Sequence, residues 1–206
     1  MKKISKLTVI TTLITLLPIV LGIALYDRLP DVVATHWGID NQPNGWSSKA
    51  MAAFGMPGIL ALINLLCSIA MDRPADKVPQ RLMWLCRWII PVLSLILVPV
   101  MLYSAMGVSF DMGRIVCSIL GIMFIIIGNY LPKCRRNGVV GIKIPWTLSS
   151  DENWDKTHRF AGFVWIVCGA AAIVGGWIKP VVAIVALVAM ILLPVVYSGI
   201  LKHKGI

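Results

Sequence analysis

The chain has 206 residues, of which 58% are hydrophobic and 14% charged, and its mean hydropathy is +0.85. A water-solvated domain keeps about a quarter of its residues charged, so this composition excludes an ordinary soluble fold. The formal charge of +10 would point a soluble protein toward nucleic acid, but the Lys and Arg residues stand in short tracts between long apolar runs, and no direct nucleic-acid binding is expected.

Six runs, at residues 7–26, 54–71, 88–108, 115–131, 161–178 and 181–201, are long enough to cross a hydrocarbon core of about 30 Å. The pattern predicts an all-α integral membrane protein, a six-transmembrane-helix bundle in contact with membrane lipids. The first run follows Met1-Lys2-Lys3 like a signal peptide, but it continues to Tyr26 with no small-x-small cleavage site before Asp27, so it is expected to remain as the first span. Pro18, Pro57, Pro91, Pro99 and Pro194 lie inside or near the ends of these runs, where kinks are expected. The five cysteines include no Cys-x-x-Cys and none lies in the loop at 27–53, so neither a disulfide nor a zinc site is expected.

Basic residues in the connections set the orientation. Lys2, Lys3, Lys6, Arg73, Lys77, Arg81, Arg87, Lys133, Arg135, Arg136, Lys143, Lys156, Arg159, Lys202 and Lys204 fall on one side, against Arg28, Lys49, Arg114 and Lys179 on the other. The first side is predicted to be cytoplasmic, with both termini inside (N-in/C-in). Two parts are expected: residues 1–71, an N-terminal helical hairpin of two spans with an outer loop at 27–53, and residues 72–206, four spans with a cytoplasmic loop at 132–160. The linker 72–87 is charged and is a candidate helical extension.

The outer loop carries His36-Trp37-Gly38 and Asn44-Gly45-Trp46. Asn44-Gly45 is a tight-turn signal and the β-branched residues upstream favour a strand, so a small extended or hairpin-like cap is expected. Trp37 and Trp46 suit the outer headgroup region, either as an aromatic belt or as part of a ligand-binding lid. His36 has no partner at metal-ligand spacing and reads as a capping or packing residue.

In the cytoplasmic loop Pro132 ends the fourth helix, Asn137-Gly138 and Gly141 allow turns, and Pro145 forces Ile144 toward an extended backbone. Ser149 with Glu152 forms a capping-box pattern for a helix running into the fifth span. Glu152–Lys156 and Asp155–Arg159 are i,i+4 pairs, and Trp154, Thr157, His158 and Ala161 share one face. No His-Glu-x-x-His, Cys–His pairing or Gly-rich phosphate cradle is present, so no catalytic site, metal or cofactor is expected. No ionisable residue stands near the centre of any run, which disfavours proton-coupled transport. Asn64 is the main polar exception and could hydrogen-bond a neighbouring helix, while Gly169, Ala170, Ala171, Ala172, Gly175 and Gly176 would permit close helix contact within the monomer or in a homo-oligomer.

The stretch Gly128-Asn129-Tyr130-Leu131-Pro132-Lys133, with Asn137, Gly141-Ile142-Lys143, Pro145-Trp146-Thr147-Leu148-Ser149, Trp154 and Lys156-Thr157-His158-Arg159, resembles the signature of the SdpI-like immunity proteins. The segment from Leu29-Pro30 through His36 to Gly45 and Lys49 resembles the short domain of unknown function that often precedes that signature. The resemblance implies a bacterial inner-membrane protein that protects its producer from a secreted toxic peptide, and in some members also relays the toxin's presence to a cytoplasmic repressor. It departs from the pattern at Arg136, where Pro is frequent, and at Lys143, where Arg is common.

On this reading His36, Trp37, Asn44 and Trp46 are the candidate ligand-binding residues. Asn129, Pro132, Asn137, Gly141, Pro145, Trp146, Thr147, Ser149, Trp154, Thr157, His158 and Arg159 form an inner corner that is structural or a docking surface. The alternative is a small lipid or peptide transporter or flippase.

Overall fold

The computed structural model describes residues 4–72 and 78–206. Lys2, Lys3, Arg73 and Lys77, four of the charges assigned to the inner side, lie outside the described residues, as does part of the 72–87 linker. Six helical segments are long and apolar enough to cross a membrane: Lys6–Arg28, Met51–Met71, Gln80–Ala105, Met112–Lys133, Asp151–Ile178 and Pro180–His203. They contain the six runs read from the sequence apart from the tail of the third. The third and fifth begin well before their apolar runs, because polar and charged residues are good helix formers and hydropathy marks only what lipid covers.

Contacts divide the chain into two compact units, residues 1–73 with 84–112 and residues 74–83 with 113–206. The first span of unit 1 is two helices, α1 (Lys6–Leu16) and α2 (Pro18–Leu25), interrupted where Pro18 has no N–H to continue the ladder. A hairpin of β1 (Val32–Trp37) and β2 (Pro43–Ser48) follows, then a π-helical segment, Met51–Gly55, that leads into α3 (Met56–Met71). The helix α4 (Gln80–Ala105) completes the unit with Pro91 and Pro99 inside it.

Apolar packing in unit 1 gathers under the hairpin: Leu25, Leu29, Val33, Ala52, Ala53, Val98, Met101 and Leu102 form one buried cluster. Helix α2 meets the π-helical segment so closely that a Cβ on Gly22 would stand 2.8 Å from the Ala53 carbonyl oxygen. Tyr26 stacks on Phe54 with ring centroids 5.2 Å apart.

The opposite end of unit 1 is polar. Thr8, Thr11 and Thr15 recur every three or four residues, so they share one face of α1, and all are fully buried. Asn64 on α3 donates to the Thr11 and Thr12 hydroxyls at 3.2 and 3.1 Å, the interhelical bond expected of it, and Ser94 on α4 donates to the Thr15 carbonyl at 2.8 Å. Below them Arg87 pairs with Asp72 at 2.8 Å and donates to the Thr8 hydroxyl at 2.7 Å. Arg87 is thus a buried interhelical residue, and the sequence reading that counted it only as a loop charge missed its role.

In unit 2 the helix α5 (Met112–Tyr130) is followed by a short helix α6 (Pro145–Ser149), then α7 (Asp151–Ile178) and α8 (Pro180–His203). Helices α5 and α7 run antiparallel through glycine contacts. A Cβ on Gly162 would stand 2.7 Å from the Gly128 carbonyl oxygen, and one on Gly169 the same distance from that of Gly121. Two turns further along α7 and one turn back along α5, Gly176 faces Cys117. Gly162, Gly169 and Gly176 are spaced by seven, as are Gly121 and Gly128, so each helix presents a flat stripe that brings backbones together. Ala172, Ala183 and Ala186 pack α7 on α8 in the same way beside the tight turn at Lys179-Pro180.

Two local expectations are corrected. The hairpin turn lies at residues 38–42, where Gly38 donates to the Gln42 carbonyl and Asn41 takes a φ of +60°, rather than at Asn44-Gly45. Asn44 and Gly45 lie within β2, where the register skips Thr35 of β1 on one side of the His36–Gly45 pair and Asn44 of β2 on the other. The cap of α7 is Ser150, whose hydroxyl accepts the Asn153 N–H at 3.1 Å. Ser149 instead closes α6, its hydroxyl donating to the Trp146 carbonyl at 3.1 Å.

Candidate functional site

The residues carried over from the sequence signature largely converge on one corner of unit 2, between the end of α5 and the start of α7. Its foundation is local. Asn137 folds the 135–140 segment around its own amide: Oδ1 accepts the N–H groups of Val139 and Val140 at 2.7 and 2.8 Å, and Nδ2 donates to the carbonyls of Arg135 and Val140. An Asn side chain mimics a backbone turn in this way. Thr147 does the same for the next turn, its hydroxyl accepting the Ile144 N–H at 3.1 Å and donating to the Ile142 carbonyl at 2.7 Å. Pro145 begins α6 behind the extended Ile144, whose φ is −120° and ψ 158°.

This folded segment is held onto α7 by Trp154 and His158, both fully buried. One turn apart on the same face, their rings stack with centroids 4.0 Å apart at 16°. The Trp154 indole N–H donates to the Cys134 carbonyl at 2.8 Å. His158 Nε2 accepts the Ile142 N–H at 2.9 Å, and its Nδ1 stands 2.8 Å from the Trp154 carbonyl oxygen. An N–H facing Nε2 and a carbonyl facing Nδ1 require a neutral imidazole with its proton on Nδ1. Gly141 lies over this pair with a φ of +135°, and a Cβ there would fall 2.5 Å from His158 Nε2 and 2.8 Å from the Trp154 ring. Both backbone conformation and space therefore require glycine.

Asn153 and Thr157 occupy the adjoining face of α7. Thr157 donates to Asn153 Oδ1 at 3.1 Å, and the Ser198 hydroxyl of α8 donates to the same oxygen at 2.6 Å. Asn153 Nδ2 donates to the carbonyls of Ser198 and Ile206. Asn153 is fully buried and was not among the residues singled out from the sequence.

At the rim, Arg136 pairs with Asp151 at 2.7 Å and donates to the Leu148 carbonyl, Lys143 donates to the carbonyls of Gly138 and Val139, and Lys202 lies over the Trp146 ring. Lys156 pairs with Glu152 at 2.7 Å, as their i,i+4 spacing predicts. Pro132 packs against Gly162, while Asn129 and Arg159 are exposed. Apart from the Trp146 indole N–H, which is buried without a partner, the corner's buried polar groups spend their hydrogen bonds on main chain and on one another. Such an arrangement fixes a backbone shape and an exposed rim of Lys133, Arg135, Lys143 and Leu148. Among the described residues no cluster of three or more His, Cys, Asp or Glu side chains is placed to hold a metal ion.

The second group, His36, Trp37, Asn44 and Trp46, lies on the hairpin. His36 Nδ1 hydrogen-bonds Asn44 Oδ1 across the bulge, and Gly45 lets the strands close there, since a Cβ would stand 3.0 Å from the His36 Cβ. Trp37 packs against the buried cluster of unit 1, whereas Trp46 is 59% exposed. Asn41, which the sequence reading passed over, ties the hairpin to the 106–111 segment: its Nδ2 donates to the Phe110 carbonyl at 3.1 Å and its Oδ1 accepts the Met112 N–H at 2.8 Å. Lys49 clamps the hairpin base through Asp31 at 2.9 Å and lies over the Tyr26 ring. The hydrogen bond and charge of that pair lower the Asp31 carboxyl and raise the Lys49 ammonium from their ordinary values.

Residues 133–198 match the SdpI/YfhL protein family, and residues 13–61 match a domain of unknown function, DUF1648. The first match begins inside the corner and ends on Ser198, the partner of Asn153; the second contains the whole hairpin. The chain is also 27% identical over 198 residues to the Immunity protein SdpI of Bacillus subtilis (strain 168), across 96% of this chain and 95% of that one. No solved structure matches the chain. With six spans, a hairpin of the DUF1648 segment and the signature corner in place, the chain is a multi-pass membrane protein similar over residues 133–198 to the SdpI/YfhL protein family.

Proposed function

We propose that this chain is a membrane immunity protein that makes its bearer resistant to a secreted toxic peptide. The observation that carries the reading is the near end-to-end similarity to the Immunity protein SdpI of Bacillus subtilis, 96% of this chain against 95% of that one. In this reading the protein lies in the cytoplasmic membrane with both termini inside, an orientation supported by the basic residues of the even-numbered connections. The hairpin follows one span and the corner follows four, so alternate crossing sets them on opposite faces. The hairpin then meets the exterior and engages the peptide through His36, Trp37, Asn44 and Trp46. The corner meets the cytosol, where it holds its unit together and offers its basic rim to a cytoplasmic repressor.

The test is to express the chain in a sensitive bacterium, confirm its presence in the membrane, and challenge the cells with the secreted peptide fraction of the strain that carries it. Survival above that of cells with an empty vector is expected; unchanged killing overturns the reading. A second reading, a lipid or peptide flippase, draws on the buried polar column from Arg87 and Asp72 through Thr8, Thr11, Asn64 and Thr15. Movement of labelled lipid or peptide across vesicles holding the pure protein would favour it.

A further inference from the structure

We propose that the outer edge of β2 receives an extended peptide segment as a third strand, so that the ligand is recognised by main-chain pairing beside Trp46. This inference rests on the immunity reading and specifies how the peptide is held.

The register decides which groups are available. Val32 pairs with Ser48, Val33 with Ser47 and Ala34 with Trp46, and the Lys49 N–H donates to the Asp31 carbonyl at 3.0 Å. Antiparallel pairs alternate, so that bond turns the main-chain groups of Val33 and Ser47 toward each other and those of Trp46 and Ser48 away from β1. Among the described residues no main-chain bond from a loop or turn reaches the Trp46 N–H and C=O or the Ser48 N–H. The Ser48 carbonyl faces the helical turn that begins at Lys49, so the open groups of this edge are the Trp46 N–H and C=O and the Ser48 N–H.

Exposed edges are normally blunted by charge, proline or a bulge. Here Pro43 and the bulge at Asn44 blunt the first half of β2, while Gly45-Trp46-Ser47-Ser48 carries no charge. The choice of β2 over β1 follows from burial, since Val33 of β1 is buried in the core of unit 1 and no residue of β2 is buried.

The face next to that edge fixes the chemistry of the occupant. Paired residues share a face, so Val32, Ala34 and Trp46 line the side opposite Val33; Val32 is 61% exposed and Trp46 59%. Lipid would cover the apolar face but gives the open N–H and C=O groups no partners. Water would satisfy those groups and leave the apolar face wet. An uncharged extended peptide does both, its main chain pairing with both groups of Trp46 and with the Ser48 N–H and every second side chain lying against the indole.

The probe is a blocked, fluorescent six-residue peptide of alternating valine and threonine, titrated against the full-length protein in lipid nanodiscs. Its counterpart carries N-methyl groups on alternate amides, which removes strand pairing without touching the protein. Saturable binding of the first peptide is expected, weaker by about tenfold or more for the methylated one and for Trp46→Pro, with Trp46→Ala keeping the edge and part of the affinity. Equal binding of both peptides, equal binding to empty nanodiscs, or no saturable binding overturns the proposal. The cell-protection assay separates the two readings. Loss of protection by the unaltered chain removes immunity, whereas full protection by a normally abundant Trp46→Pro chain leaves immunity standing and removes the strand.

Discussion

His158 Nε2 accepts the Ile142 N–H at 2.9 Å, so a helix that enters the membrane and a loop sixteen residues upstream share one hydrogen bond with no spare acceptor. His158→Ala removes that acceptor and the ring stacked on Trp154, leaving a main-chain donor in a half-buried loop unpaired. The expected cost is about 1–3 kcal/mol. Faster protease cleavage within 138–143 of the purified protein, with the cut confirmed by mass, is the measurement. Gly141→Ala should produce the same cut and a larger loss, because it adds a strained backbone to a clash with the same two rings. Unchanged cleavage in both variants would show that the clasp does not hold the loop.

Asn153 and Ser198 lie on different helices, and the Asn153 amide both accepts from Ser198 and donates to it. Replacing each by Ala, singly and together, gives a cycle in which the double variant loses less than the sum of the singles. A coupling of about 0.5–3 kcal/mol is expected for a buried network of this kind. Thermal unfolding in a fixed detergent reads it, and strict additivity would mean that the two residues do not act as a unit.

The contrast between what the sequence disclosed and what it hid follows from range. The six spans were legible because lipid solvation selects long apolar runs, and the shared face of Trp154 and His158 follows from helical spacing alone. Asn153 was invisible because its partners, Ser198 and Ile206, lie 45 and 53 residues away. Arg87 looked like a boundary charge because hydropathy sees composition; its burial becomes visible only when α1 brings Thr8 to it. The hairpin was anticipated but its turn was misplaced. Asn44-Gly45 carries the stronger local signal, yet Gly38 through Gln42 closes the loop, while Gly45 is needed to admit His36.

The pair Arg87–Asp72 has side chains only 8% and 13% exposed. Removing one partner strands a buried charge, so Arg87→Ala or Asp72→Ala should cost about 3–5 kcal/mol, whereas Arg87→Met with Asp72→Leu should cost less than either. Acid should act like the Asp72 substitution. Burial pushes the Asp72 carboxyl up, but the Ser5 N–H, the Arg87 guanidinium and the Ser5 and Thr8 hydroxyls outweigh it and leave the carboxyl below its ordinary value. A lowered native value means stability that is complete above the unfolded value and lost as pH falls through the native one. A plot of melting temperature against pH should therefore drop in the acid range for the natural chain and stay flatter for the Met/Leu pair; parallel curves would count against the assignment.

The glycine stripes of α5 and α7 predict opposite signs for one kind of substitution. Gly162→Ala would set its methyl 2.7 Å from the Gly128 carbonyl oxygen and 2.8 Å from the Pro132 ring, and Gly169→Ala meets the Gly121 carbonyl oxygen at 2.7 Å. In each case a backbone atom must move, so the helices separate and the close contacts along both stripes weaken together; a loss of about 1–3 kcal/mol is expected for each. Gly199 in α8 has nothing within 4 Å of the same position, and Gly199→Ala should instead stabilise by about 0.4–1 kcal/mol, because alanine narrows the unfolded ensemble and fits the helix. Melting temperatures of the three single variants in one detergent decide the matter. A fall for Gly162→Ala and Gly169→Ala beside a rise for Gly199→Ala supports the antiparallel glycine contact. Equal small shifts at all three positions would mean that α5 and α7 do not approach along these residues.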